Sequence, residues 1–582
     1  MGIEQAGQTR GMVAPDVTFL VRRHSDLKSQ RANYNTQWQE IARYVWPDRA
    51  IFTTIKTPGI KVNDYIFDGT AAMALPRFAA ALESILTPRT SRWHKLKASC
   101  DKRKMRGWLA REDINDDDQV KTYMEDLTDI LFESRYGPSG NFASQMNECY
   151  MSVGAFGPGV MYIPDSPGGV LRYKAISINE MYFIEDANYG IDTFHREYQL
   201  TARQVMQEWG NNPDATVPDK VKSVIESRPD TIFKFVEVVM PRQDTGYGGA
   251  DNKHMPFACY DVCLDSNDLV MESGYATCPY MVGRHLTTPG TGVSNGHVYG
   301  YSPAQLCLPD VKTLNELEKE DLRGTALRNL PPLLMNDSDV LQSFDMRPGA
   351  LNSGGIDDQG RQMVIPLQIG GDNRSYLEKS DQKRRAINES FLVTLFQILV
   401  ETPAMTATEA LLRAQEKGQL LAPQLRLYSE MIGPQIHREL DIMGRAGRLP
   451  KPPDIMVEAG MEYEIEYVSP LIQMQRAEEG VAINRTIESA GVIAQYDPSI
   501  IKRINFDRSM KHLAEINGAP ADMLNSDDEM IDIKQADAQQ AQLANILAAA
   551  PVAAQTAKTL AETQQTAGQG APPFVPSYAG GR

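Results

Sequence analysis

An α+β fold, mainly helical, is what this 582-residue sequence predicts. Three observations carry that expectation. The start and the second half of the chain place apolar residues at helical spacing. The middle, residues 159–282, switches toward a period of two. Two helices of matching length flank a short, turn-rich β segment.

Val17 to Tyr44 reads as one helix with Arg22, Arg23, Lys28 and Arg31 on its polar side, and Trp46-Pro47-Asp48 stops it. A loop holding Pro58-Gly59 leads through Ile66-Phe67-Asp68-Gly69-Thr70 to an Ala-rich helix, Ala71 to Leu86, which contains Pro76 and ends at Thr87-Pro88. Asp117 to Ser134 is helical and acidic, and Phe142 to Val153 continues the bundle. Strands follow at Val160-Met161-Tyr162-Ile163, Leu171-Arg172-Tyr173 and Phe233 to Val239, with a short helix from Thr201 to Gly210 among them. More strands lie between Phe257 and Val282.

Helical spacing returns at Ser302-Pro303, an N-cap followed by proline at the first helical position. Leu306, Leu308, Val311, Leu314, Leu317, Leu322 and Leu327 mark an apolar stripe, and Pro331-Pro332 ends a helix roughly 42 Å long at 1.5 Å per residue. Residues 333–369 are short-stranded and turn-rich. Arg374 to Val400 forms the matching helix. Its first half is charged (Glu378, Lys379, Asp381, Lys383, Arg384, Arg385) and its second half apolar, from Phe391 to Leu399. The pattern breaks at Glu401-Thr402-Pro403-Ala404-Met405. Thr406 and Glu409 then form a capping box opening a helix to about Met443, kinked at Gly433-Pro434 and ended by Arg448-Leu449-Pro450. Leu471 to Ala490 and Pro498 to Ile516 are further helices. From Gln535 the chain is rich in Ala and Gln, and its Pro/Gly end is expected to be disordered.

With 59 basic and 75 acidic residues the net charge is −16, which argues against a protein that clamps nucleic acid through its phosphates. It leaves room for one that lets DNA slide past an acidic wall. Six cysteines in this length make no disulfide scaffold and fit a reducing cytoplasm. Met1 to Arg10 is polar, without an apolar signal core, and no run reaches the roughly 18 apolar residues of a membrane span. Synthesis in the cytoplasm without a membrane anchor is the expectation.

Chemical motifs are weak. Gly292-Val293-Ser294-Asn295-Gly296 matches a nucleophile elbow, but Thr287-Thr288-Pro289-Gly290 before it is no buried strand and Asn295-Gly296 reads as a turn. Cys259, Cys263, Cys278, His254 and His285 lack zinc-site spacing and read better as buried thiols and strand residues. The chain holds no Gly-Lys dipeptide, hence no phosphate-binding loop, and no HExxH. No catalytic residue, metal or cofactor is expected. Asp116-Asp117-Asp118 and Asp527-Asp528-Glu529 suit helix starts as well as cations. Lys379, Lys383, Arg384 and Arg385 are candidates to touch a phosphate backbone; a solvated helix face pairing with Glu378, Asp381 and Glu389 explains them equally.

Tyr34-Asn35-Thr36-Gln37-Trp38-Gln39-Glu40 through Trp46-Pro47, then Tyr65-Ile66-Phe67-Asp68-Gly69-Thr70-Ala71, Ala79-Ala80-Ala81-Leu82, Leu86-Thr87-Pro88 and Trp93, resemble the head-to-tail connector, or portal, family of short-tailed bacteriophages. Glu401 to Glu409, Gly433-Pro434 and Gly447-Arg448-Leu449-Pro450 resemble it too, so the likeness spans roughly Asp16 to Asp522. The resemblance implies a non-enzymatic portal fold, assembled as a homododecameric ring at one capsid vertex of the virion. Double-stranded DNA passes through the channel of such a ring in packaging and ejection. The implied partners are the terminase large subunit, capsid and scaffolding proteins, and tail adaptor proteins.

By order along the chain, the resemblance makes residues 1–301 the wing or body and 302–330 the first stem helix. Residues 331–372 become the clip, 373–400 the second stem helix, and 401–406 the tunnel loop, with Glu401, Thr402, Pro403, Ala404 and Met405 at the constriction. Residues 407–468 become the kinked wing helix and its connection, 469–530 the crown, and 531–582 the tail. Twelve copies sum to a charge of roughly −190, which implies a mostly acidic channel with isolated basic rings from Lys379, Arg384 or Arg385. The alternatives are a ring-forming tail or adaptor protein without a packaging role, and a hydrolase built on Ser294.

Overall fold

The first helical stretch divides at Arg31, giving α1 (Val17–Gln30) and α2 (Ala32–Val45) where the sequence reads as one helix. The cause is the side chain of Arg31. It is buried, not on a polar face, and its guanidinium donates to the carbonyls of Ile178, Asn179 and Met181 while lying 3.7 Å from the Tyr182 ring centroid. A buried charge needs such partners, and reaching them turns the chain between two packing surfaces. The computed structural model describes residues 16–54, 57, 59–99, 117–242, 252–287, 298–335, 356, 359–362, 364–366, 373–393, 425–459, 462–468, 470–494, 503–517, 529–530 and 533–540.

Asp68 accepts from Thr70 N–H at 2.8 Å and so starts α3 (Thr70–Leu86). β1 (His94–Ser99), α4 (Asp118–Tyr136) and α5 (Phe142–Phe156) follow. α3 and α5 cross closely at Gly154, where an added Cβ would come within 2.8 Å of Leu75 and Phe78 side-chain carbons. Trp38 of α2 donates from Nε1 to Phe156 O at 2.9 Å and packs with Phe52, Phe156 and Tyr299.

β2 (Pro158–Tyr162) lies between β3 (Lys174–Ile176) and a later strand in a three-stranded sheet. Leu171–Tyr173, expected to be a strand, is not one. The side-chain amide of Asn141 takes a strand partner's place, accepting from Tyr173 N–H at 3.0 Å and donating to Tyr173 O at 2.8 Å. β4 (Met181–Glu185) and β5 (Ile191–Thr201) precede α6 (Ala202–Trp209), which Thr201 and Gln204 open with a reciprocal capping box. α7 (Asp219–Ile225), β6 (Ile232–Pro241), β7 (Phe257–Cys263), β8 (Asp268–Tyr275) and β9 (Tyr280–Arg284) complete this region. β9 pairs with β2, and β4 to β8 form an antiparallel sheet in sequence order. Leu20 of α1 packs on one face against Val236, Val238, Tyr260 and Val262. Trp209, Val205 and Val221 of α6 and α7 cover Phe233, Phe235, Cys263 and Val270 on the other.

α8 (Pro303–Asn329) starts where expected. The buried Ser302 Oγ accepts from Gln305 N–H at 2.9 Å and donates to Ala155 O at 2.9 Å, fixing the helix to α5. Its apolar stripe is only half used: Leu308, Val311 and Leu314 are buried, whereas Leu306, Leu322 and Leu327 are exposed. β10 (Leu333–Met335) and β11 (Val364–Pro366) pair antiparallel beyond it, and α9 (Asn373–Ser390) returns. α9 breaks after Ser390, where Leu392 takes a left-handed φ of 57° beside Phe391, whose ring packs against Phe78; residues 394–400 of the expected helix lie outside the described residues.

The expected kink near Pro434 is a π-helical turn, Tyr428–Ile432, closed by Gly433 N–H to Tyr428 O and followed by α10 (Gly433–Arg445). Proline cannot donate to the carbonyl four residues earlier, and the wider turn absorbs the loss. α11 (Asp454–Ala459), β12 (Glu462–Tyr467), α12 (Pro470–Ala494) and α13 (Phe506–Asn517) follow. The chain divides into two units. The first holds Met1–Lys97, Asp126–Lys451 and Tyr463–Arg476; the second holds Ala98–Glu125, Pro452–Glu462 and Ala477–Arg582. In the second, Gly480 of α12 approaches Leu513 and Ile516 of α13.

Candidate functional site

The α8–α9 pair carries all four basic candidates, and its geometry separates them. Lys383 donates to Asp310 of α8 at 2.6 Å. Arg384 donates to Glu318 of α8 at 2.7 Å, to Asp68 at 3.0 Å and to Asp381 at 3.2 Å. These two cations hold the helices to each other and to the segment before α3. Lys379 and Arg385 are exposed and have no ion-pair partner among the described residues. The local pairing within α9 expected from helical spacing occurs at Asp381–Arg384, while the stronger ties cross between helices.

The same junction is closed by Asn315, which helical spacing did not single out. Buried in α8, it accepts from Phe67 N–H at 2.7 Å and donates to Tyr65 O at 2.9 Å, strapping residues 65–68 across the helix. Lys319 Nζ lies 5.9 Å from the Phe67 ring centroid, and Lys312 pairs with Glu40 of α2 at 2.6 Å. The base of the two-helix arm is therefore held on several sides.

Two further clusters brace the body. Arg135 of α4 and Glu439 of α10 form an ion pair with both side chains fully buried. Tyr173 and Gln435 donate to Glu439 Oε1 at 2.8 and 2.9 Å, and the guanidinium lies 4.8 Å from the Trp93 ring. On the large sheet Arg196, Glu237 and Asp261 stand side by side across β5, β6 and β7. Tyr280 donates to Glu237 at 2.6 Å and Tyr198 to Asp261 at 3.4 Å. Burial lifts both carboxyls above their usual range, since one guanidinium serves two acids out of water.

Among the remaining candidates, the thiols of Cys259 and Cys278 are held in local hydrogen bonds. Cys259 donates to Glu237 at 3.6 Å and Cys278 to Tyr280 O at 3.3 Å, and burial pushes the Cys278 thiol up to about 12. Among the described residues no group of three or more His, Cys, Asp and Glu is arranged to hold a metal, and no helix is long and apolar enough to cross a membrane. Asp117 accepts from Gln119 and Val120 N–H, as a helix cap does. Ser294 and Glu401 to Met405 lie outside the described residues.

The family described as bacteriophage head to tail connecting protein matches residues 18–524. The chain belongs to that family. The portal protein of Salmonella phage epsilon15 is 27% identical over 556 residues, 94% of this chain and 95% of its own length. The probable portal protein of Bordetella phage BPP-1 is 25% identical over 553 residues, 93% of this chain and 95% of its own. A chain of the virion of a native gene transfer agent particle aligns over 73% of this chain and 87% of its own at 11% identity and a TM-score of 0.31, too distant to carry an argument. For a connector, the informative residue that sequence reading missed is Asn315, whose only signal was its position as a buried-face asparagine amid leucines; Asp68 stood in the resemblance, but its bond to Arg384 was not foreseen.

Proposed function

We propose that this connector is the portal of its phage, the ring at one capsid vertex through which double-stranded DNA enters and leaves. The observation that carries the reading is the family match over residues 18–524, joined by two portal relatives aligned over nearly their whole lengths. The α8–β10–β11–α9 order supports assigning α8 and α9 to the stem and the intervening residues to the clip. α10 belongs to the wing, α12 and α13 to the crown, and residues 401–406 to the tunnel loop. The chain itself performs no reaction; the terminase large subunit supplies the work and docks at the clip, which tail adaptor proteins later occupy. Capsid and scaffolding proteins surround the ring in the virion.

Within the stem, Lys383 and Arg384 serve structure, and Lys379 and Arg385 are the groups left to form basic rings facing DNA. The loop from Thr402 to Met405 is uncharged and acts on DNA sterically. A phage lacking this gene, complemented from a plasmid, tests the proposal. Without complementation, capsids are expected to contain no packaged genome. Full capsids that merely lack tails would favour the adaptor reading instead.

A further inference from the structure

Two helices of the first unit carry faces that the described residues leave largely exposed. Around α8 the body takes Ala304, Cys307, Leu308, Val311 and Leu314, α9 takes Asp310 and Glu318, and the strap takes Asn315 and Lys319. The face left over runs through the exposed Leu306, Pro309, Thr313 and Leu327 and the half-buried Leu317 and Gly324. With Glu320 at its middle, every step is three or four residues, the spacing of a helix-packing seam. Leu306 is 62% exposed and Leu327 44%, and a Cβ added at Gly324 would meet no atom within 4 Å.

α3 presents a second such face. Its inner side packs on Gly154 of α5 and Phe391 beyond α9. Its outer side shows Met73, Arg77, Ala80 and Ser84, all exposed, again three or four apart. α9 packs against both α8 and α3, so the two stripes lie on different helices around it. Each stripe carries one charge near its centre, and the signs are opposite. Arg77 has no ion-pair partner among the described residues. Glu320 has only the exposed Arg323 three residues on, a pairing worth little in water.

Two unlike faces, matched in spacing and opposite in charge, on one chain suit a head-to-tail contact rather than a two-fold one. We infer that the α8 stripe of one copy seats on the α3 stripe of the next, with Glu320 facing Arg77. The contact rests on the ring reading above and specifies which surfaces close the ring.

The test uses full-length protein, sized by light scattering after gel filtration and imaged by electron microscopy. Leu306→Asp with Leu327→Asp alters side chains that are exposed in a single copy, so circular dichroism stays unchanged while rings give way to single subunits. Where that variant fails to fold, the charges decide. Glu320→Arg and Arg77→Glu each loosen the ring, and the two together restore it. Intact rings from the folded leucine variant, or a double swap no better than the single ones, overturn the seating while the ring reading stands. A wild-type protein that stays monomeric at every concentration overturns both.

Discussion

Arg135 and Glu439 are 304 residues apart in sequence, and each is fully buried because of the other. Removing one partner strands a charge in the core, so Glu439→Gln is expected to cost about 3–5 kcal/mol in urea unfolding of the assembled or single chain. No local pattern announces such a pair, and the same holds for Arg31, which the sequence places on a polar helix face. Asp261 makes the opposite prediction. Its carboxyl holds a proton that the unfolded chain releases in the ordinary carboxylate range, so stability falls as pH rises above that range. Asp261→Asn keeps the shape without the charge and should raise Tm, more at pH 8 than at pH 5; an equal effect at both would contradict the burial account. His195 works in acid. Burial, helped by the neighbouring His24, holds it near 3 against an ordinary 6.5. Stability is then complete above about 6.5 and declines as pH falls toward 3, by up to roughly 1.4 kcal/mol per unit. His195→Phe should flatten that decline in a thermal scan between pH 6.5 and 4.

Among the elements, those with local punctuation were legible. Ser302-Pro303 marks the start of α8, Thr201 and Gln204 cap α6, and Pro434 marks the kink. The end of α9 was not, because the left-handed turn at Leu392 follows from Phe391 seeking Phe78, a long-range contact. Likewise the basic run 379–385 reads as four equal candidates until the fold supplies Asp310, Glu318 and Asp68 to two of them. Arg384→Ala removes three ion pairs, all partly exposed. A stability loss of about 1 kcal/mol is expected, together with faster amide exchange along α9. Lys379→Ala, with no ion-pair partner among the described residues, should leave both within about 0.5 kcal/mol of wild type. Equal effects from the two substitutions would contradict the division of roles between clamp and free cation.

For the whole molecule, the resemblance in scattered residues from Tyr34 to Pro450 was enough to point to the connector family, and the family match spans that stretch. Composition alone was not: a net charge of −16 fits many functions, and it becomes informative only when many copies are brought together around a channel. The stripes on α3 and α8 that the described residues leave largely exposed were invisible as such, since exposure depends on what the rest of the fold covers. The most direct measurement is the rotational symmetry of the purified full-length particle by electron microscopy. A closed twelve-fold ring with an open central channel is the expected result. A compact monomer, or an open filament with no closed channel, would contradict the portal account.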